Sequence, residues 1–257
     1  MSDTFFVIFG FSIVFIATAL GAALVFFVGD GYAEKKSRRF LGVAGGIMVS
    51  ASIFSLLEPS IEGFSRYGVW KFLPTAVCFL LGGSFFFVTD KLVHKMLKKR
   101  SSDGKTHSRS IKPERMFTAM TIHNIPEGLA VGFAFGSALM AGGESMVGAL
   151  ALAIGIAVQN FPEGAAVSIP MRAKGKSKTA AFLLGALSGI VEPIAATFGL
   201  IFSTSIAVTL PFVMAFAAGT MIFVVVEDML PSAENGKGVT WGFMLGFALM
   251  MALDLAL

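Results

Sequence analysis

Two polar hexapeptides lie inside long apolar stretches of this chain: HNIPEG at residues 123–128 and QNFPEG at residues 159–164. They repeat one pattern, 36 positions apart. An ionised side chain at the centre of a bilayer costs about 2.5–3.5 kcal/mol on insertion scales. No Lys or Arg lies in the middle of either stretch. If these stretches cross a membrane, Glu127 and Glu163 need a proton or a bound cation as their partner.

The composition is that of a protein that crosses a membrane several times. Of the 257 residues, 55% are hydrophobic and 14% are charged, and the mean hydropathy is +0.80. Soluble domains carry about 25% charged residues, and about 20 apolar residues cross the hydrocarbon core. Eight segments reach that length, which predicts a single all-α transmembrane domain over residues 1–257. The predicted spans are about 5–28, 40–61, 69–93, 115–139, 145–170, 178–203, 207–230 and 239–256.

The basic residues alternate between the two sides of this predicted bundle. Eighteen of the 20 Lys and Arg residues lie in or beside the connections after the first, third, fifth and seventh spans. Because cytoplasmic loops carry the excess of basic residues, we expect both termini on the external (periplasmic) side of the cell (inner) membrane. The loop at about 95–114 is then cytoplasmic, and its single His107 is expected to be solvated. The same pattern explains the net charge of +4 without a nucleic-acid partner.

Helical geometry places the polar side chains of each hexapeptide together. Successive residues of an α-helix are rotated by about 100°, so Glu127 lies between His123 and Asn124. QNFPEG repeats this order with Gln159, Asn160 and Glu163. If the fourth and fifth spans face each other, two adjacent metal sites result, with both glutamates bridging them. The first contains His123, Glu127, Gln159 and Glu163, and the second contains Asn124, Asn160 and the same two glutamates.

Prolines within the hexapeptides suggest interrupted helices. Pro126 leaves the carbonyl of Ile122 without its helical partner, and Pro162 does the same for Val158. Interrupted helices in mid-membrane are typical of transport sites that line a cavity. We therefore interpret these two positions as helix breaks; proline kinks with polar residues that only pack the helices are the alternative interpretation.

Three further acidic residues are candidates for a role near this site. Glu192 precedes a proline within the sixth span, in GIVEPIAATFG, and is a candidate ligand or relay beside the second site. Glu227 and Asp228, in VVVEDMLP, lie near the cytoplasmic end of the seventh span and are candidate exit-path ligands. Solvated charges at the membrane interface are the alternative interpretation for this second pair.

These motifs resemble those of the ZIP (Zrt/Irt-like) divalent metal transporter family, and of its bacterial GufA-like branch in particular. The resemblance is carried by HNIPEG, QNFPEG, VEPI at 191–194 and SLLEPSIEG at 55–63. It implies eight transmembrane helices in an inverted 3+2+3 repeat, in which spans 1–3 and 6–8 are related around the central pair. It also implies an elevator-like motion of spans 1, 4, 5 and 6 against spans 2, 3, 7 and 8.

The resemblance further implies a transported ion and a ligand set. Members move Zn²⁺ into the cytoplasm, and often Fe²⁺, Mn²⁺ or Cd²⁺. One metal would be held by His123, Glu127, Gln159 and Glu163, and the other by Asn124, Glu127, Asn160, Glu163 and Glu192. No resident cofactor is expected. The expected partners are divalent metal ions and the lipid bilayer, and a homodimer is compatible with the sequence.

This sequence departs from the family pattern at three places. Many members have His where this chain has Gln159, and some have an acid where it has Asn160. The 95–114 loop lacks the histidine cluster that is common elsewhere in the family. An oxygen-rich site with one imidazole holds Zn²⁺ without excluding Mn²⁺ or Fe²⁺. We therefore expect broad specificity with zinc favoured.

Two other function classes can be weighed against metal transport. An intramembrane metallohydrolase would need HExxH or several histidines and an open position for water. Only His123 lies within a span, so an enzyme is not expected. A proton or other cation transporter would also use buried carboxylates, but it would not need the clustering of His, Asn and Glu. It remains the alternative.

Overall fold

The computed structural model describes residues 2–29, 33–100, 113–141, 144–203, 208–233 and 236–256. Within these ranges the chain consists of helices and the turns that join them, without β-strands. His107 and most of the 95–114 loop lie outside the described residues.

The described helices follow one another along the chain. Their bounds are α1 Asp3–Ala23, α2 Ala33–Ala51, α3 Phe72–Arg100, α4 Pro113–Ala141, α5 Glu144–Ala173, α6 Lys178–Ser188, α7 Val191–Ile201, α8 Leu210–Val224 and α9 Lys237–Ala256. Helices α2 and α8 continue into π-helical turns, in which hydrogen bonds join residues five apart instead of four apart as in an α-helix. These turns are Ser52–Leu57 after α2, followed by Glu58–Gly63, and Val225–Met229 after α8, followed by Leu230–Ala233.

Seven helical segments of the described chain are long and apolar enough to cross a membrane. They are Asp3–Phe27, Arg39–Gly63, Phe72–Thr89, Ser145–Ala173, Lys178–Ile201, Leu210–Met229 and Lys237–Ala256. The fourth predicted span corresponds to α4, which is 29 residues long but is not among the seven. His123, Asn124 and Glu127 lie in its apolar stretch and lower its hydropathy. These segments agree with the predicted all-α membrane class.

The helices pack in two groups. In the first group, α5 packs along α1, α4 packs along α7, and α6 contacts both α1 and α5. In the second group, α2 packs along α9 and α3 packs along α8. Contacts of α2 with α5, and of α4 with α8, join the two groups. The two helices that carry the hexapeptides therefore lie in the first group and face the second.

Two glycines, each directly after a hexapeptide glutamate, bring the flanking helices close. A Cβ on Gly164 would overlap the carbonyl oxygen of Thr18 in α1. A Cβ on Gly128 would overlap the carbonyl oxygen of Glu192 in α7. Small residues at helix contacts allow this close approach of backbones. The final Gly of each hexapeptide thus sets how closely α1 and α7 flank α5 and α4.

The expectation of helix breaks at the hexapeptide prolines is wrong. Both α4 and α5 continue through Pro126 and Pro162, because packed neighbours let a membrane helix absorb the loss of one backbone hydrogen bond. The discontinuity lies instead in the sixth predicted span, between Ser188 at the end of α6 and Val191 at the start of α7. This break comes directly before Glu192.

Candidate metal centre

The polar side chains singled out in the fourth, fifth and sixth spans are all buried. Each has at most 1% of its surface exposed, although all seven are polar or ionisable: His123, Asn124, Glu127, Gln159, Asn160, Glu163 and Glu192. Burying such groups is costly unless each one finds a partner. Their arrangement falls into two clusters, which we call the carboxylate cluster and the amide cluster.

The carboxylate cluster consists of His123 and Glu127 from α4 and Gln159 and Glu163 from α5. Residues four apart share one face of a helix, so each helix contributes one pair. One ligand atom from each of His123, Glu127 and Glu163 lies within 4.8 Å of the others. The His123 Nε2 atom is 3.1 Å from Oε2 of Glu163, and Gln159 Nε2 donates to Oε1 of Glu127. The contacts therefore run across the two helices.

The amide cluster surrounds the Glu192 carboxylate at the start of α7. Asn124 donates from Nδ2 to Oε1 of Glu192 at 2.7 Å. Asn160 donates from Nδ2 to Oε2 of the same carboxylate. Thr18 of α1 adds a longer contact of 3.5 Å from Oγ1 to Oε1. Both oxygens of Glu192 are thus hydrogen-bonded by groups from three other helices.

Backbone carbonyls hold the donors of the amide cluster in place. Asn124 Nδ2 also donates to the carbonyl of Ser188, at 3.2 Å, where α6 ends. Asn160 Nδ2 donates at 3.3 Å to the carbonyl of Val14, which also accepts from Thr18 Oγ1 at 3.2 Å. Each amide nitrogen therefore has two acceptors, and this orients the amide oxygen away from Glu192.

Five oxygens of these clusters have no hydrogen-bond partner within the described part of the chain. They are Asn124 Oδ1, Glu127 Oε2, Gln159 Oε1, Asn160 Oδ1 and Glu163 Oε1. A buried polar group without a partner costs about 1–3 kcal/mol, so five of them in one region indicate that a further species satisfies them. Carboxylate and amide oxygens together with one imidazole are ligands for divalent cations of the first transition row.

Comparison with known proteins agrees with this chemistry. Residues 115–254 match the family model described as ZIP Zinc transporter. The chain is 33% identical to zinc transporter ZIP11 of Homo sapiens, over 93% of this chain and 94% of that protein. It is 34% identical to zinc transporter GufA of Myxococcus xanthus over 94% of each, and 33% identical to zinc transporter ZIPB of Bordetella bronchiseptica over 95% and 78%. The chain belongs to the ZIP zinc transporter family.

Membership of the ZIP family decides between a transporter and an enzyme. The resemblance carried by the two hexapeptides is confirmed, and so is the all-α membrane class. The family consists of transporters, which confirms that this ZIP protein is not an enzyme and excludes the intramembrane metallohydrolase. The matched region contains both hexapeptides and Glu192.

The two candidate exit-path residues of this ZIP protein are less buried than the residues of the two clusters. Glu227 and Asp228 fall in the π-helical turn Val225–Met229. Glu227 is exposed and lines a groove between α3 and α8, whereas Asp228 is half-buried. Their role in metal exit stays a prediction.

Thr18 is the site residue that the sequence interpretation missed. It is fully buried, and a Cβ on Gly189 would lie 2.8 Å from three of its side-chain atoms. Thr18 therefore fills the space at the break between α6 and α7, beside Glu192. The available signal was one hydroxyl within the apolar run IVFIATALG at 13–21.

Proposed function

We propose that this ZIP protein is a divalent metal transporter that moves Zn²⁺ into the cytoplasm through two adjacent sites between the fourth and fifth spans. The first site is the carboxylate cluster. The second takes Asn124, Asn160 and Glu192 and shares Glu127 and Glu163 with the first. The observation that carries this proposal is the set of five buried oxygens without partners, one on each of the five acidic and amide residues of the hexapeptides.

The hydrogen bonds of the two clusters suggest how an ion is received. In the carboxylate cluster, the ion replaces the His123–Glu163 contact and takes the oxygens of Glu127 and Glu163 that lack partners. In the amide cluster, both asparagines hold Glu192 through Nδ2 while Oδ1 stays available. An ion can therefore bind the amide oxygens without rotation of the side chains. This limits the reorganisation that binding requires.

The packing supports eight spans arranged as an inverted repeat. In such a repeat, span 1 is equivalent to span 6, span 2 to span 7, span 3 to span 8, and span 4 to span 5. The contact of α1 with α5 then corresponds to that of α7 with α4. The contact of α2 with α9 likewise corresponds to that of α8 with α3. The close approaches of Gly164 to Thr18 and of Gly128 to Glu192 correspond in the same way. In both repeats a π-helical turn precedes a proline, Pro59 or Pro231.

An elevator motion fits the two groups of helices. All seven proposed ligands and Thr18 belong to the group of α1 and α4–α7. The second group, α2, α3, α8 and α9, contributes none of them. A rigid movement of the first group against the second therefore carries the whole site, with α2–α5 and α4–α8 as the sliding contacts. The distribution of basic residues supports an external location for both termini and a cytoplasmic location for the 95–114 loop.

The ligand set also bears on which ions are moved. With a single imidazole and otherwise oxygen ligands, the site binds Zn²⁺ without excluding Fe²⁺, Mn²⁺ or Cd²⁺. A proton or other cation transporter remains the competing function, because buried carboxylates serve it equally well. It does not explain the unpartnered oxygens of three neutral amides.

Uptake into proteoliposomes tests the proposed function. Zn²⁺ uptake is expected in the wild type and is expected to be lost in Glu127→Ala and Glu163→Ala. Asp3→Ala, which removes an exposed acid at the start of α1, serves as the control and should leave uptake unchanged. Competing Mn²⁺, Fe²⁺ and Cd²⁺ at two pH gradients separate metal transport from proton transport. Normal zinc uptake by both glutamate variants would show that the site assignment is wrong.

A further inference from the structure

A groove of about 420 Å³ runs between α3 and α8, away from both clusters. Its walls include Gly83, Ser84 and Phe87 from one side and Gly219, Phe223 and Val226 from the other. A Cβ on Gly219 would overlap the carbonyl of Phe79, so this glycine is needed for the helices to approach. A Cβ on Gly83 would meet its nearest atom at an ordinary 3.6 Å. The missing side chain at Gly83 thus leaves the groove open without being required by the packing.

One end of this groove carries two opposite charges. Lys91 follows Gly83 by eight residues, and Glu227 follows Gly219 by eight residues. Because α3 and α8 run in the same direction from their contact at these glycines, both charges lie about 12 Å further along. The Lys91 Nζ atom is 4.0 Å from the centre of the Phe87 ring, which lines the groove. Glu227 lines the groove itself.

These two charges are not neutralised by each other. Both side chains are exposed, and among the described residues no ion pair joins them and no hydrogen bond uses the Glu227 carboxylate. An anion at Lys91 and a cation at Glu227 are therefore complementary to this end of the groove.

The position of the groove in the membrane matches that of a lipid. The third span carries no charged residue from Phe72 to Thr89, and Asp90 and Lys91 follow directly. The seventh span carries none from Leu210 to Val226, directly before Glu227. The charged end thus reaches the head-group region, where long charged side chains extend to the interface. The rest of the groove, with Leu80 66% and Val226 57% exposed, faces the hydrocarbon.

We propose that this groove binds a phospholipid with an ethanolamine head group. An acyl chain lies along Gly83 and Gly219, the phosphate contacts Lys91, and the ammonium group donates to Glu227. Phosphatidylglycerol would satisfy Lys91 but offers no cation to Glu227. Phosphatidylcholine offers a cation without a hydrogen-bond donor. The lipid site uses none of the seven proposed metal ligands, and it would couple the helix group without metal ligands to the bilayer.

Native mass spectrometry of the full-length protein, purified in detergent, tests this site. The probes are palmitoyl-oleoyl phosphatidylethanolamine, phosphatidylcholine and phosphatidylglycerol, each added at the same concentrations. We expect the wild type to retain the ethanolamine lipid about tenfold more strongly than either of the others. Gly83→Leu fills the groove and should lower this binding about tenfold. Gly148→Leu is the matched control, because a Cβ on Gly148 meets no atom within 4 Å.

A second variant tests the head-group contact without altering the groove. Glu227→Gln is nearly isosteric and should make the ethanolamine and choline lipids bind equally, while Gly148→Leu keeps the wild-type preference. Equal binding of all three lipids by the wild type would overturn the proposal. So would a preference that survives in Glu227→Gln. If Gly83→Leu converts a dimer into a monomer while lipid binding is unchanged, the groove is an interface between two copies and the lipid proposal is wrong.

Discussion

The two clusters of the centre differ in which oxygens they leave available. In the carboxylate cluster, Glu127 and Glu163 each keep one carboxyl oxygen without a partner. In the amide cluster, both oxygens of Glu192 are hydrogen-bonded, and the available oxygens belong to the neutral amides of Asn124 and Asn160. Charged oxygens attract a divalent cation more strongly than neutral ones. If both clusters bind metal as proposed, this difference predicts a tighter first site beside a weaker second one.

Removal of a carboxylate should have the largest effect, and this effect should be larger for Glu127, which the two proposed sites share, than for Glu192, which belongs to the second proposed site alone. Glu127→Gln removes a carboxylate whose free oxygen points at no protein donor, and we expect Zn²⁺ affinity to fall about 100-fold or more. Glu192→Gln alters a carboxylate that already has two amide donors, and we expect a fall of about tenfold. Loss of groups that orient metal ligands typically costs about 10–100-fold in affinity, and loss of a ligand itself more. Isothermal titration calorimetry of the purified protein measures both.

Equal losses of Zn²⁺ affinity in Glu127→Gln and Glu192→Gln would contradict this difference between the two clusters. Equal losses would mean that the two clusters bind one ion as a single unit. Asp3→Gln, at the exposed start of α1, is the control for a charge change outside the centre and should leave the affinity unchanged.

Much of the carboxylate cluster could be predicted from the sequence, because its information is local. The spacing of four residues between His123 and Glu127, and between Gln159 and Glu163, already places each pair on one helical face. What the spacing could not show is the pairing across helices. Glu127 accepts a hydrogen bond from Gln159 of the other hexapeptide, and this contact depends on the rotation of α4 against α5, which packing sets.

The amide cluster was less predictable because its contacts are remote in sequence. Thr18 and Glu192 are 174 positions apart, and Asn160 and Val14 are 146 apart. Pro162 suggested a break that is absent, whereas the real break follows Ser188, five residues before Pro193 in the first turn of α7. A membrane helix holds its shape through its neighbours, so a local breaker is a weak guide to where the chain is interrupted.

A single substitution in the carboxylate cluster should sharpen the metal preference. Gln159→His replaces the amide oxygen with a second imidazole nitrogen beside His123. Imidazole favours Zn²⁺ over Mn²⁺, so we expect the ratio of zinc to manganese affinity to rise about tenfold. Competitive uptake of the two ions into proteoliposomes measures this ratio. Asn160→His, in the amide cluster, is the companion variant and should change the ratio less; an equal or larger change would contradict the ranking of the two clusters.

The smallest expected effect concerns Thr18, which acts on the amide cluster through Glu192. Thr18→Val keeps the shape of the side chain but removes the hydroxyl that contacts Glu192 and the carbonyl of Val14. Loss of one such hydrogen bond is worth about 0.5–1.5 kcal/mol, so we expect a two- to tenfold increase in the KM for Zn²⁺ at an unchanged maximal rate, and recovery in Thr18→Ser.

The matched control for Thr18 is Thr197→Val. Thr197 is an exposed residue of α7 whose hydroxyl donates to the carbonyl of Pro193 at 2.8 Å, so it has the same backbone contact without a neighbouring carboxylate. A lower melting temperature in Thr18→Val, with KM equal to that of Thr197→Val, would assign Thr18 to helix packing alone. A raised KM at an unchanged melting temperature would show that the hydroxyl positions Glu192. Packing at Gly189 depends on the shape of the Thr18 side chain, which valine keeps, whereas the orientation of the Glu192 carboxylate depends on the Thr18 hydroxyl.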